Sequence, residues 1–278
     1  MRVKPVLKWP GGKRWLAPLL GPIIQERLRN IYYEPFLGGG AIFLEVNPLR
    51  AVLSDINRDL IESLCIISKD PEGVVRTVWR YSNNRPCYEA IRRKKPRTEI
   101  GRAARFLYLN RTCWGGVYRL NQRGEFNTPF GNSHRIICRL GEVRDAALAF
   151  GVAELICLDF EAAMSRACDG DVVYCDPPYS FAGSNGFLRY NDSLFSQDDH
   201  KRLALCAREA VGRGASVIVS AMQTYDLSEL YPGWWCLELT RSSRVSRRLA
   251  GRRQVTEALL FSWPPEIVGQ KIHYLTVA

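Results

Sequence analysis

The 278-residue sequence contains no run of about 18 apolar residues, so no membrane-spanning helix is expected. Its opening, Met1-Arg2-Val3-Lys4-Pro5, lacks the apolar stretch of a secretory signal. Histidine is scarce. His134, His200 and His273 stand far apart, which leaves little material for a histidine-based metal centre. The nine cysteines are odd in number and no two form a C-x-x-C pair. Both facts speak against a disulfide framework and against a zinc site. The cysteines read as small buried hydrophobes in a reducing compartment. The expectation is a cytoplasmic chain with neither a metal nor a membrane partner. Internal repeats and low-complexity tracts are absent as well. At 46% hydrophobic and 24% charged, the composition excludes wholesale disorder, and the length suits one large or two modest domains.

Acid is missing where base is abundant. The formal net charge is +11. Residues Arg80 to Arg144 hold fifteen Lys/Arg against four Asp/Glu, and Arg241 to Arg253 hold six Arg and no acid. The rest of the chain therefore carries a net charge of −6. Positive charge confined to two stretches suits a polyanion, nucleic acid ahead of an anionic membrane surface.

The pattern of elements is α/β. Ile31 to Glu34 is a short β-like run that meets Pro35-Phe36-Leu37-Gly38-Gly39-Gly40, and Ala41 to Val46 reads as helical. Ala51 to Ser54 is a second strand ending at Asp55, followed by a helix from about Asp59 to Ser68. Glu154 to Leu158 and Asp171 to Cys175 are strands followed by Asp159 and Asp176. Gln197 to Gly212 is helical, with apolar positions at Leu203, Leu205, Ala207 and Val211. Strands at Ala215–Val219, Trp235–Leu239 and Glu257–Phe261 complete the pattern. Such alternation signals a mostly parallel, Rossmann-like sheet, and ligands of open α/β sheets bind beyond the carboxyl ends of the strands. Three strand-end acids, Asp55, Asp159 and Asp176, would then line one edge. The segment from 82 to 150 is different. It is Arg-rich, holds a helix at Arg102–Leu109 and is otherwise loop-rich, with Gly115, Gly116, Gly124, Pro129 and Gly131. It reads as an insertion forming its own small domain, with 1–81 and 151–278 as the discontinuous main domain.

The sharpest motif is Asp176-Pro177-Pro178-Tyr179. Two prolines fix φ, remove two backbone donors and force an extended exit from the strand. The loop offers a carboxylate, carbonyl oxygens and an aromatic ring. That set suits a planar aminated ring, whose N–H groups need acceptors and whose face needs a stacking partner. The second motif is Glu34-Pro35-Phe36-Leu37-Gly38-Gly39-Gly40 with Asp55 beyond it. Glycines permit close backbone approach, and an acid at the next strand's end can bind ribose hydroxyls. The third is Leu7-Lys8-Trp9-Pro10-Gly11-Gly12-Lys13, where an exposed Trp beside two lysines is unusual for a terminus.

Together these motifs resemble the Dam-type DNA adenine-N6 methyltransferases. In that family a K-W-x-G-G-K terminus, an E-P-F-x-G-x-G loop, a recognition insertion and D-P-P-Y follow in this order. The insertion matches too: Leu109-Asn110-Arg111, then Gly116-Val117-Tyr118-Arg119-Leu120-Asn121, then Arg123 to Gly131. The similarity runs from about residue 6 to about residue 262.

The resemblance implies S-adenosyl-L-methionine as methyl donor. Trp9 and Lys13 would border it, the Gly38–Gly40 loop would pass its methionine part, Asp55 would take its ribose, and Glu34, Pro35 and Phe36 join the cofactor-binding set. Asp159 and Phe160 match the position beside its adenine, and Asp176 borders it as well. Asp176, Pro177, Pro178 and Tyr179 are the implied catalytic set, acting on an adenine flipped out of duplex DNA. Lys8, Trp114, Val117, Arg119, Asn121, Arg123 and Pro129 are the implied DNA-binding set, with Arg119 reading a guanine of GATC through its fork. Two departures weaken this carry-over: Gly115 stands where relatives often have Asn, and Asn132 where they often have Arg. The runs Arg92–Lys95 and Arg241–Arg253 would compensate, although Arg92–Lys95 reads equally as a solvated helix end. The resemblance implies a monomer on double-stranded DNA; a cognate restriction endonuclease, or none, is left open. So are two rivals, an RNA adenine or cytosine-N4 methyltransferase and a DNA-binding relative that has lost catalysis.

Overall fold

Strands and helices alternate over residues 17–69 and 140–242, separated by a run of helices and followed by a run of strands. The computed structural model describes residues 3–131, 137–178, 195–222, 227–242, 254–266 and 272–275. In chain order the elements are α1 (Ala17–Arg27), β1 (Tyr32–Glu34), α2 (Ala41–Val46), β2 (Ala51–Asp55), α3 (Arg58–Lys69), α4 (Pro71–Trp79), α5 (Arg85–Arg93) and α6 (Glu99–Thr112). A 3-10 turn at Trp114–Gly116 precedes α7 (Leu140–Phe150), β3 (Ala153–Cys157), α8 (Phe160–Met164), β4 (Val172–Cys175) and α9 (Gln197–Gly212). The chain continues through β5 (Ser216–Met222), α10 (Leu227–Leu230), β6 (Trp235–Ser242), β7 (Gln254–Phe261) and β8 (Ile272–Tyr274). The fold is α/β and Rossmann-like. It forms two compact units, one of residues Met1–Gln25 and Leu37–Leu158, the other of Glu26–Phe36 and Asp159–Ala278.

In the first unit β2 and β3 lie parallel, in register from Ala51↔Ala153 to Asp55↔Cys157. Parallel strands need a crossover, and this one carries α3 to α7. Each of α3 to α6 starts at a polar cap that satisfies a backbone N–H: Asn57 accepts from Leu60, Asp70 from Gly73, Asn84 from Cys87 and Thr98 from Gly101. The 82–137 region has an apolar cluster of its own, built on Tyr88, Ile91, Tyr108, Leu109, Cys113 and Phe126.

In the second unit β1, β4 and β5 are parallel neighbours, and β7, β6 and β8 continue the sheet antiparallel. Every residue of β4 and β5 is buried. That explains their lack of polar alternation, since strands covered on both faces need none; only Ser216 and Ser220 interrupt the apolar residues of β5. Helix α9 begins with a capping box between Ser196 and Asp199.

Several expectations are corrected. Among the described residues of 82–150 there are three α-helices rather than one, and the helix predicted at Arg102–Leu109 spans Glu99–Thr112. On α9 the buried face is His200, Leu203, Ala204, Cys206, Ala207 and Ala210, whereas Leu205 is exposed. The i, i+3, i+4, i+7 spacing from His200 sets that face. Strand β3 ends at Cys157, so Asp159 is not a strand-end acid but the N-cap of α8. All nine cysteines are free; five are buried, but Cys157 and Cys168 are exposed.

Candidate active site and nucleic-acid interface

Strands β1 and β4 are adjacent and parallel, paired Tyr32↔Val172 and Tyr33↔Val173. Their carboxyl ends therefore deliver Glu34-Pro35-Phe36 and Asp176-Pro177-Pro178 to the same edge of the second unit's sheet. Glu34 is buried and accepts a 2.8 Å hydrogen bond from the Tyr32 hydroxyl. Tyr174, buried one pleat before the diproline corner, shares a 2.8 Å hydrogen bond with Ser220. Burial, and then the negative field of Asp176, pushes its phenol well above the usual range. Pro177 is buried, Pro178 exposed and Asp176 half-buried. A half-buried carboxylate thus follows directly on a fully buried, apolar strand. Tyr179 lies outside the described residues.

Aromatic rings gather nearby in the chain's second unit. Phe36 stacks on Phe160 at 5.3 Å between centroids, and Phe195 meets both rings at 5.7 Å. Asp159 caps α8 by accepting from the Glu161 amide at 3.0 Å. Flat aromatic faces beside a carboxylate are suited to an aminated purine.

In the first unit the glycine loop is held by Asp55. One carboxylate oxygen accepts from the Gly38 amide at 3.0 Å and the other from Asn57 at 2.9 Å. Burial raises the Asp55 carboxyl above its ordinary value, and these two amides oppose the rise. Gly38 has φ +49, and a Cβ there would stand 2.6 Å from Cδ1 of Trp9. So the glycine admits the indole as well as the turn. Trp9 is half-buried rather than exposed, and Lys13 is buried. A cleft of about 230 Å³ is lined by Leu7, Lys8, Trp9, Gly12, Gly39 and Gly115, among others.

The DNA-reading candidates converge on a hairpin of the same unit. Asn127 N donates to the Arg119 carbonyl and Asn121 N to the Glu125 carbonyl, with Leu120 bridged to Phe126. Asn121 closes the tip by accepting from the amides of Arg123 and Glu125, which leaves the Arg123 side chain exposed. Trp114, exposed, donates its amide to the Pro129 carbonyl, and Thr128 donates to the carbonyl of Val117. Arg119 donates through Nε to Oδ1 of Asn127 at 2.7 Å. Lys8 joins the hairpin through Asn110, which is fully buried. Asn110 accepts from the Lys8 amide and donates to the carbonyls of Lys8 and Gly116. The Lys8 ammonium donates to the Arg111 carbonyl at 2.9 Å.

Over residues 9–242 the sequence matches the model of the D12 class N6 adenine-specific DNA methyltransferases. The chain belongs to that family. It is 30% identical over 275 residues to the type II methyltransferase M1.LlaDCHI of Lactococcus lactis subsp. cremoris, covering 95% of this chain and 96% of that one. It is 32% identical over 266 residues to a DNA adenine methylase of Vibrio cholerae serotype O1, covering 93% and 95%. A DNA N-6-adenine-methyltransferase of Escherichia phage P1 is 34% identical over 233 residues, which are 81% of this chain but 31% of the phage protein.

In this D12-class methyltransferase the motifs read from the sequence fall into clusters. Phe36, Phe160, Asp159 and the Asp176 corner belong to the second unit, and Trp9, Gly38, Gly40 and Asp55 to the first. Lys8, Trp114, Val117, Arg119, Asn121, Arg123 and Pro129 belong to one hairpin and its anchor. Sequence reasoning missed Phe195, Arg202 and the holding roles of Asn110 and Asn127. Only the motif strings around Asn110 and Asn127 hinted at them. Most of Arg241–Arg253 lies outside the described residues, as does Asn132.

Proposed function

We propose that this methyltransferase transfers a methyl group from S-adenosyl-L-methionine to N6 of an adenine flipped out of duplex DNA, within GATC. The reading is carried by the Asp176-Pro177-Pro178 corner at the carboxyl end of buried β4, beside β1 and its Glu34-Pro35-Phe36 exit. Residues of each unit, taken by themselves, suit a part of the proposed methyl donor. Gly38 and Gly40 both have positive φ, so the backbone of this loop turns without a side chain in the way. Asp55 is an acceptor for ribose hydroxyls, Trp9 packs against the loop, Lys13 offers a cation for the carboxylate end, and Asp159 with Phe160 suits an adenine. The bound donor supplies an electrophilic sulfonium methyl.

The adenine N6 lone pair is delocalised into its ring and is a weak nucleophile. The Asp176 carboxylate and the Pro177 carbonyl accept the two N6 hydrogens and favour a pyramidal nitrogen with a localised lone pair. Tyr179 stacks on the flipped base. The amine proton departs during or after transfer, and no covalent enzyme intermediate is required. Positioning and electrostatics supply the acceleration.

Residues 82–150 serve as the target-recognition domain, a reading supported by the apolar cluster around Tyr88 and Tyr108 and by the excess of basic residues. Arg119 reads guanine, Lys8 a second guanine, Val117 and Pro129 contact thymine methyls, and Trp114 wedges beside the flipped base. Asn121 and Arg123 approach the duplex at the hairpin tip. The deciding experiment is expression in a host free of adenine methylation, followed by genome-wide mapping of modified adenines. Methylation at GATC is expected. Modification of another sequence would overturn the target, and none at all would overturn the activity.

A further inference from the structure

Arg202 lies on α9, outside every motif of the sequence. Its guanidinium meets three carboxylates: Asp159 at 3.1 Å, Asp199 at 3.3 Å and Glu161 at 3.5 Å. Its central carbon stands 4.4 Å from the centroid of the Phe160 ring. One planar cation therefore grips both residues assigned above to the donor's adenine, the carboxylate by its edge and the ring by its face. Lysine cannot combine those two contacts in one group.

The rest of the cluster fits a holding role. Asp159 gives one oxygen to Arg202 and the other to the Glu161 amide, so its rotamer is fixed from both sides. Phe160 is packed by Phe36 and Phe195, and the His200 ring meets Phe195 edge-on at 4.7 Å. Arg202 Nε is buried and has no acceptor among the described residues, so the pairing runs through the two terminal nitrogens. The side chain is 41% exposed, and ion pairs at such exposure add little to stability. Orientation of Asp159 and Phe160 accounts for the arrangement better than stability does.

We propose that Arg202 is a positioning residue for the purine end of the methyl donor, fixing Asp159 to accept from the exocyclic amine and Phe160 to pack against the ring. This rests on the reading of S-adenosyl-L-methionine as donor given above. The test is titration of the wild type, R202M, R202K, D159N and the R202M/D159N double variant with S-adenosyl-L-homocysteine by calorimetry. Steady-state kinetics and thermal melts are run beside it.

For R202M, Kd should rise about ten-fold, the effect of losing roughly 1.4 kcal/mol of orientation. KM for the donor should rise in step, with kcat at saturation within about two-fold and melting unchanged. R202K, which keeps the charge but not the planar fork, should recover only part of the loss. In the D159N background R202M should cost markedly less than in the wild type, because the arginine acts in part through that carboxylate. Wild-type affinity in R202M, or a fall in kcat with Kd unchanged, overturns the proposal. Equal losses from R202M in the wild-type and D159N backgrounds overturn it too. Failure of the wild type itself to bind S-adenosyl-L-homocysteine overturns the donor reading instead, which the titration separates from the first result.

Discussion

Asp176 leaves a strand whose residues are all buried and enters a corner whose two prolines restrict the backbone on its carboxyl side. Asp176→Asn keeps the shape and removes the charge. Methyl incorporation into duplex DNA should fall by at least about 10²-fold while DNA affinity, read by gel shift, holds. A second residue-scale expectation concerns pH. Burial holds the His200 imidazole below its ordinary value of 6.5. The unfolded chain therefore takes up a proton that the folded chain refuses. Stability contributed by the neutral ring is present above that value and lost as pH falls through it. Thermal melts between pH 8 and pH 5 should show the wild type losing ground to His200→Gln across this window. Parallel melting curves would refute the assignment. The motif residues were legible because each is a rare chemical type in a rare string. Arg202 and Phe195 were not, because nothing in their neighbours marks them and only the fold brings them to Asp159 and Phe160.

At the scale of elements, β1, α2, β2, β3, β4, α9, β5, β6 and β7 were legible from apolar runs and glycine punctuation. Helix α5 was not: in Arg85–Arg93 only Tyr88 and Ile91 are buried, a single i, i+3 pair among arginines. Helix α7 opens at Leu140 with Arg139 as its N-cap and no side-chain hydrogen bond there, so it gave no start signal. Strand β8 has three residues, too few for an alternation to show. The loop between β1 and α2 offers the element-scale prediction. Gly38→Ala places a methyl 2.6 Å from the Trp9 indole at a positive φ. Backbone strain of about 1–2 kcal/mol should add to displacement of the indole. Tryptophan fluorescence should shift and the donor KM should rise. An unchanged spectrum would show that the loop yields elsewhere.

Across the whole molecule charge is unevenly spread, since residues 80–144 and 241–253 are basic while the rest of the chain is net acidic. Binding to duplex DNA should weaken steeply with salt, and removing one phosphate-binding cation should reduce the slope of log K against log salt by roughly 0.9. Arg93→Ala should lower that slope and weaken all sequences alike. Arg119→Ala should instead relax discrimination at one base pair, worth about 1–3 kcal/mol. Competition assays with GATC and singly altered sites distinguish the two, and equal weakening on every site for Arg119→Ala would remove its reading role.

Asn110 reaches the backbone of Lys8, 102 residues earlier, and the carbonyl of Gly116 with one buried amide. Gly116 in turn has room for no side chain, because an added Cβ would collide with Lys8. The amino-terminal arm and the hairpin are therefore a single heritable module. A hairpin grafted from a relative without the residues that match Lys8 should therefore arrive misaligned.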